Sequence, residues 1–270
     1  MRNKIVLGTA QLGSNYGITN NNRWTPESSV DLLNMALSND ICHIDTSPNY
    51  PNSEDIIGST GNATSFKVIS KFWVNNPKSY QNLKLQLDGT MKSMKIKQLY
   101  GYLSHRPEED LVVDRNREKT WEELVEFKKE GKILKIGYSV YSVSQLEHLW
   151  TKFKPDIVQL PMNILDQKFH QSGWLKKMKD NDVEIHVRSI FLQGLLLEKS
   201  IQNRLFPEHM NLWKKLEIII LKQGTNAYDY CLNFPFNIRE VDKIIIGVSN
   251  KNELKQLLKF KHKTILDYPL

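Results

Sequence analysis

Only two cysteines, Cys42 and Cys231, occur in the 270 residues, far apart, so no disulfide framework organises this chain and a reducing compartment is expected. Long apolar runs are missing too. "LEIIIL" is among the longest, well short of the ~20 residues a membrane-spanning helix needs. The opening "MRNKIVLGTAQLG" lacks the long apolar core and small-residue cleavage site of a secretory leader, which with the cysteine usage makes a cytoplasmic location the expectation. Neither G-x-G-x-x-G nor G-x-x-x-x-G-K-[ST] is present, so the fingerprinted dinucleotide and P-loop folds are disfavoured. The seven histidines, at 43, 105, 148, 170, 186, 209 and 262, form no metal-ligand spacing such as H-E-x-x-H, and no metal is expected. No linker rich in Pro, Gly or Ser and no low-complexity segment divides the chain, so residues 1–270 are expected to form a single domain.

What is present describes an ordinary globular protein: 40% apolar and 25% charged residues, far from the composition of disorder. The net charge of +7 is unevenly distributed. Residues 1–66 hold three basic against six acidic groups, and the remainder carries the whole basic excess. Because the lysines are scattered along helix-like segments such as "EFKKEGKILK" and "KQLLKFKHK", they read as a solvated face rather than a nucleic-acid stripe, with attraction of phosphorylated small molecules as a second possibility. No nucleic-acid or membrane partner is expected, and the oligomeric state stays open between monomer and small homo-oligomer.

Eight β-rich runs recur along the chain: 4–10, 41–46, 66–71, 98–105, 133–139, 156–161, 183–189 and 242–249. Helical spacing separates most of them, as with Leu83, Leu87, Met91 and Met94 before the fourth, and Trp121, Leu124, Val125 and Phe127 before the fifth. Thr25-Pro26 reads as an N-cap followed by a first-turn proline, Ser53-Glu54 as another helix entry, and Gly131 as an exit. Eight strand-helix units in this length are what a closed parallel (β/α)8 TIM barrel of the α/β class requires, whereas a doubly wound sheet usually has fewer strands.

In such a barrel chemistry gathers at the carboxyl ends of the strands. Asp45 ends the second run, Tyr50 follows in the loop, Lys71 ends the third run and His105 the fourth. Each has an ordinary alternative: a turn cap, a loop anchor, a solvated strand end, a turn histidine. Their convergence on strand ends 2, 3 and 4 favours a catalytic group.

These residues carry a family resemblance. "DTSPNYPNSEDIIG" resembles the Asp-Thr-Ala-x-x-Tyr-Gly-x-Ser-Glu signature of the aldo-keto reductases, and "VISK", "YLSHRP", "GKILKIGYS", "IVQLPMNILD", "FLQGLLL" and "IIIGVSNKNEL" follow in that family's order. The resemblance implies a catalytic tetrad of Asp45, Tyr50, Lys71 and His105, a nicotinamide dinucleotide bound in extended form, and reduction of a carbonyl. Tyr50 would donate the proton to the carbonyl oxygen; a free phenol has a pKa near ~10, which a neighbouring ammonium on Lys71 lowers, while Asp45 holds Lys71 charged and His105 orients the carbonyl. Relatives that reduce certain conjugated carbon-carbon bonds carry Glu in place of this histidine, so His105 argues for carbonyl chemistry.

The resemblance further assigns Ser139, Gln159 and Asn163 to the nicotinamide carboxamide. Val140 stands where many members have Asn, and Arg188 replaces the aromatic residue that commonly stacks on the nicotinamide; its guanidinium can stack instead, or serve as an ion-pair partner behind the site. Gly247, Ser249, Lys251 and Glu253 fall in the segment that grips the adenosine phosphate, and Lys251 as a neutraliser of a 2′-phosphate favours NADPH, with NADH still possible. An Arg common in that loop is missing. A polar, sugar-like aldehyde or ketone is the expected substrate, with Tyr16, Trp73 and Phe191 lining its pocket beside loop candidates Asn15, Trp24, Phe72, Arg106 and Tyr141. Two rivals remain: a cofactor-binding regulatory or redox-sensing barrel with little turnover, and a lyase or isomerase using the Lys71 amine as a Schiff base.

Overall fold

The structure is a computed structural model, and it describes residues 2–12, 17–18, 25–74, 82–113, 116–265 and 268. Eight parallel strands close into a barrel in sequence order, β1 pairing with β8. They are β1 (Ile5–Gly8), β2 (His43–Asp45), β3 (Lys67–Phe72), β4 (Leu99–Ser104), β5 (Ile133–Ser139), β6 (Ile157–Pro161), β7 (Glu184–Arg188) and β8 (Lys243–Gly247). The (β/α)8 expectation therefore holds, and every strand falls inside the run anticipated for it except β3, which extends one residue further to Phe72. The helices are α1 (Pro26–Leu37), α2 (Ser53–Ser59), α3 (Leu83–Met94), α4 (Arg117–Lys129), α5 (Val143–Trp150), α6 (Lys168–Gln171), α7 (Trp174–Lys179), α8 (Lys199–Leu205), α9 (Met210–Lys222), α10 (Ala227–Asn237) and α11 (Lys251–Lys259).

Strand alternation sorts the apolar side chains into two sets. Val6, Ile69, Leu103, Ile157 and Ile245 meet inside the barrel as one buried cluster, so the barrel is filled rather than open. Their neighbours Leu7, Ile44, Val68, Tyr102, Val158, Ile185 and Ile244 join a second, larger cluster with helix residues such as Leu32, Leu87, Leu124 and Leu254. Thr25 caps α1 through a reciprocal box with Ser28, and Gly131 takes the left-handed φ of +74° just beyond α4. The α2–α3 crossing depends on a missing side chain: a Cβ on Gly58 would lie 2.1 Å from the Ser93 carbonyl oxygen.

The helix entry at Ser53 differs from its sequence reading in one respect. The cap position is Asn52, left-handed at φ 60° with no side-chain cap bond, and Ser53 does not cap. Its buried hydroxyl donates instead to Thr9 Oγ1 at 2.7 Å and meets Thr46 Oγ1 at 3.0 Å, tying α2 to the ends of β1 and β2.

Among the described residues no helix is long and apolar enough to cross a membrane, no cluster of three or more His, Cys, Asp or Glu is arranged to hold a metal, and Cys42 and Cys231 are free thiols.

Candidate functional site

The segment 45–55 builds the site from one end of the barrel wall. Ser47-Pro48-Asn49-Tyr50 forms a turn closed by the Tyr50 amide donating to the Ser47 carbonyl at 2.9 Å, with proline in the second position where its fixed φ suits the turn. Tyr50 is thereby folded back over the strand end it follows. Glu54, one residue into α2, is buried and accepts from Ser70 Oγ at 2.9 Å, which clamps the strand immediately before Lys71. Burial pushes the Glu54 carboxyl up to about 7, against the opposing hydrogen bond from Ser70.

Lys71 is a fully enclosed cation, its side chain 1% exposed. Its ammonium donates to Asp45 Oδ1 at 2.6 Å and to the Thr46 carbonyl at 3.0 Å. A buried charge this short of water persists only when paired, and Asp45 supplies the pair. The ammonium lies 5.3 Å from the centroid of the Tyr50 ring. His105 follows β4, its amide donating to the Phe72 carbonyl, and its ring stands edge-on to Tyr50 with centroids 6.1 Å apart. Burial, and then the positive charges of Lys71, Arg106 and Arg188, push the imidazole down to about 3, so it is neutral near pH 7. Nδ1 faces the Ser47 hydroxyl at 3.1 Å and the Asn49 amide nitrogen at 3.4 Å, both able to donate, which assigns the ring proton to Nε2.

A cavity of about 720 Å³ opens above this group, lined by Asp45, Tyr50, Lys71 and His105 and by Ser139, Gln159, Arg188, Phe191, Gly247, Ser249 and Glu253. A hydrogen-bonded line runs along its floor: Arg188 Nε donates to Ser139 Oγ (3.3 Å), Ser139 Oγ to Gln159 Oε1 (3.2 Å), and Gln159 Nε2 to Asp45 Oδ2 (2.8 Å). Adjacent register explains the Ser139–Gln159 link, since the two are paired partners on β5 and β6. Arg188 also donates to the Val140 carbonyl at 3.2 Å, and its guanidinium covers the Tyr141 ring at 4.3 Å. It makes no ion pair among the described residues, so the alternative of an ion-pair partner behind the site is not what it does here.

Other assignments are not brought together at the cavity. Asn163 is buried just behind the lining, accepting from the Leu165 and Asp166 amides and donating to the carbonyl of Ser189, which lines the cavity. Lys251, on the exposed face of α11, pairs with Asp31 on α1 at 2.8 Å and does not line the cavity. Glu253 does line it, and its carboxylate accepts from the Ser249 amide at 2.6 Å. Trp73 lies outside the lining, its indole donating to Glu109 Oε2 at 2.6 Å with the Arg106 guanidinium over its ring. Phe191 lines the cavity and stacks on Tyr228, centroids 5.0 Å apart. Tyr16, Asn15 and Trp24 lie outside the described residues. Tyr228 and Gln11 are lining residues that strand-end reasoning missed; Tyr228 arrives from the first turn of α10, where nothing local in the sequence marks a cavity wall. Gln11 lies across Gly247, where a Cβ would come within 2.2 Å of its side-chain amide.

The fold, the filled parallel barrel and this carboxyl-end cavity define one class of protein. The aldo/keto reductase family model matches residues 4–268, and the chain belongs to that family. Among curated proteins it resembles the glyoxal reductase of Bacillus subtilis (strain 168), 26% identical over 191 residues covering 67% of this chain and 64% of that protein. It also resembles the aldo-keto reductase YhdN of the same organism, 25% identical over 217 residues covering 75% and 62%. The match thus spans a little under two thirds of each relative's length. Among solved structures, the fold is shared with the aldo-keto reductase of Bacillus halodurans in its holo form, TM-score 0.75 at 15% identity over 97% of this chain and 88% of that one. It is shared as well with a thermostable aldo-keto reductase in complex with the inhibitor epalrestat, TM-score 0.72 at 24% identity over 95% and 88%.

Proposed function

We propose that the protein reduces a small polar aldehyde or ketone with a nicotinamide dinucleotide, Tyr50 acting as the general acid. The observation that carries this reading is the enclosed Lys71–Asp45 pair beneath the Tyr50 ring, with a neutral His105 opposite, all on one cavity wall. A nicotinamide dinucleotide, when bound, would supply a hydride to the carbonyl carbon, placing negative charge on the carbonyl oxygen. His105 donates from Nε2 to that oxygen and orients it; being neutral, it stabilises developing charge without adding a second acid. Tyr50 gives the oxygen its hydroxyl proton. The Lys71 ammonium stabilises the phenolate left behind, and Asp45 holds that ammonium in place.

A dinucleotide fits the residues present. Ser139, Gln159 and Arg188 offer a hydroxyl, an amide and a planar guanidinium at the cavity floor, and on the far side Gly247 lets the Gln11 side-chain amide lie across the backbone. The NADPH preference expected from Lys251 is not supported by its surroundings. That ammonium is already matched by Asp31, and the carboxylate of Glu253 occupies the Ser249 amide at the start of α11, where it would repel a 2′-phosphate. We therefore take NADH as the preferred form. A small dicarbonyl or sugar-like aldehyde suits the polar lining, the first being the kind of compound named for the glyoxal reductase relative. With two free thiols, a reducing compartment such as the cytoplasm is the proposed location.

Titration of the purified protein with NADH and, separately, NADPH, followed by tryptophan quenching, tests this. Saturable binding with NADH tighter, and turnover with small aldehydes, is expected. Absence of binding by either dinucleotide would remove the reductase reading, and tighter NADPH binding would remove the role given to Glu253.

A further inference from the structure

The opposite end of the barrel holds a second concavity of about 490 Å³, far from the tetrad along the strands. Five cations line it, Lys4, Lys135, Lys179, Arg239 and Lys243, against three carboxylates, Asp182, Glu184 and Asp242. Two of the carboxylates are already committed. Asp242 takes Lys179 through both oxygens, at 2.9 and 2.8 Å, and also accepts from the Ile185 amide. Glu184 takes Lys135, the Tyr100 hydroxyl at 2.7 Å and His186 Nε2 at 2.8 Å; burial works against its charge, but these donors hold its carboxyl well below the usual range.

Three cations are left over. Lys4 donates to the Val241 carbonyl at 2.8 Å and Lys243 to the Asn3 carbonyl at 2.5 Å, so each ammonium is held by a neutral group. Neither these two nor Arg239 forms an ion pair among the described residues; Asp242 and Glu184 act on them only at longer range, and the concavity keeps five cations against three carboxylates. The crowding of positive charge registers on its neighbours. Lys4 and Lys243 are both pulled below the ordinary lysine range, chiefly by burial; Asp242 opposes the shift of Lys4 and Glu184 that of Lys243, while Lys179 and Lys67 add to them. Burial, with Lys243 and Lys67 next, pushes His43 down to about 4, so this histidine adds no further charge near pH 7.

We infer that this concavity binds a small oxyanion bearing two or more negative charges, of the pyrophosphate or phosphorylated-metabolite class, between Lys4, Arg239 and Lys243. Such an anion supplies the countercharge that the barrel end lacks. Its anionic oxygens would accept from the Lys4 and Lys243 ammonium groups, each already pinned by a backbone carbonyl, and from the Arg239 guanidinium, which takes paired oxygens through a planar fork. The recess, floored by Tyr100 and Glu184, admits a compact anion and excludes the bulk of a nucleic-acid duplex.

Calorimetric titration of the full chain with sodium pyrophosphate, at low ionic strength, tests the inference. A saturable one-to-one site is expected, weakened at least tenfold in the Arg239→Gln/Lys243→Gln double variant and kept within about threefold in Lys243→Arg. Circular dichroism melts of the variants establish that they fold. Inorganic phosphate is expected to bind more weakly than pyrophosphate, because it spans fewer of the cations. Absence of saturable binding, equal binding by wild type and the double variant, or binding of duplex DNA through these residues without pyrophosphate binding would each overturn it. The reaction cavity is not involved: turnover of the double variant is expected to match wild type, so failure of this site and failure of the reductase reading are separate results.

Discussion

The two ends of the barrel carry nearly the same side chains. At the carboxyl end Lys71 pairs with Asp45 beside Tyr50 and His105; at the amino end Lys135 pairs with Glu184 beside Tyr100 and His186. Even the cation-to-ring distances agree, 5.3 Å from Lys71 to Tyr50 and 5.0 Å from Lys135 to Tyr100. What differs is where the carboxylate points and how much water reaches the lysine. Glu184 accepts the Tyr100 hydroxyl, and burial together with that carboxylate raises the phenol, although Lys135 opposes them. Asp45 instead turns its second oxygen to Gln159. Lys71 is 1% exposed, whereas Lys135 is 34% exposed and solvated. Residue types alone therefore do not distinguish the two phenols: Tyr100 gives its hydroxyl to the carboxylate, whereas Tyr50 stands over an enclosed lysine whose Asp45 partner spends its second oxygen on Gln159.

The widest separation between the two ends is expected in turnover. Tyr50→Phe should lower kcat by about 10²–10⁴ while leaving dinucleotide binding intact, as expected for loss of a positioned acid. Tyr100→Phe should leave kcat within about threefold. Steady-state rates on any aldehyde substrate check both, and an equal loss in the two variants would erase the distinction.

Stability separates them next. Lys71→Met leaves Asp45 buried without its counterion and should cost about 3–5 kcal/mol in denaturant unfolding, because breaking a buried pair strands a charge. Lys135→Met should cost about 1 kcal/mol or less, in line with a solvent-screened pair. Comparable losses would show that exposure does not set the difference.

A smaller effect concerns Glu54, which clamps the strand carrying Lys71. Its folded-state carboxyl titrates at about 7, above its unfolded value, so the folded protein holds a proton that the unfolded chain has released. Between about pH 4.5 and 7 this group therefore destabilises the fold progressively as pH rises. Glu54→Gln, which keeps the oxygen that accepts from Ser70, should raise stability at pH 8 on the order of 1–3 kcal/mol and have little effect at pH 4. Melting curves at the two pH values decide it.

Comparable in size, one histidine from each end acts in the opposite sense. His105 and His43 are pushed down to about 3 and about 4, so the unfolded chain gains protons first as pH falls through ~6.5. Stability should fall with pH over that window, less so in His43→Gln. An unchanged acid limb in that variant would count against the burial of His43 as its cause.

Much of this architecture is legible along the chain, for local reasons. The strands are short apolar runs bounded by turn residues, and the tetrad lies at strand ends whose order the sequence preserves. Thr25 and Gly131 act where their chemistry suggests. What the sequence does not carry is nonlocal. Lys251 looks like a free helix-start cation until Asp31, 220 residues earlier, is folded against it. Asn163 has the amide of a cofactor contact, but its oxygen accepts from its own loop and its nitrogen donates to the Ser189 carbonyl after β7. Ser53 has the type of a cap, yet its hydroxyl is drawn to Thr9 and Thr46 on neighbouring strands. The Lys135–Glu184 group escapes notice because its members sit at strand starts, where the barrel rule directs no attention.

The most direct test of the central claim is the rate of deuterium transfer from NADH, deuterated on the transferring carbon of its ring, to a small aldehyde, measured on wild type and on Tyr50→Phe. The account predicts an alcohol carrying deuterium on the former carbonyl carbon, formed by wild type and slowed at least a hundredfold in the variant; transfer at an undiminished rate in Tyr50→Phe, or none by wild type with any small aldehyde despite tight NADH binding, would contradict it.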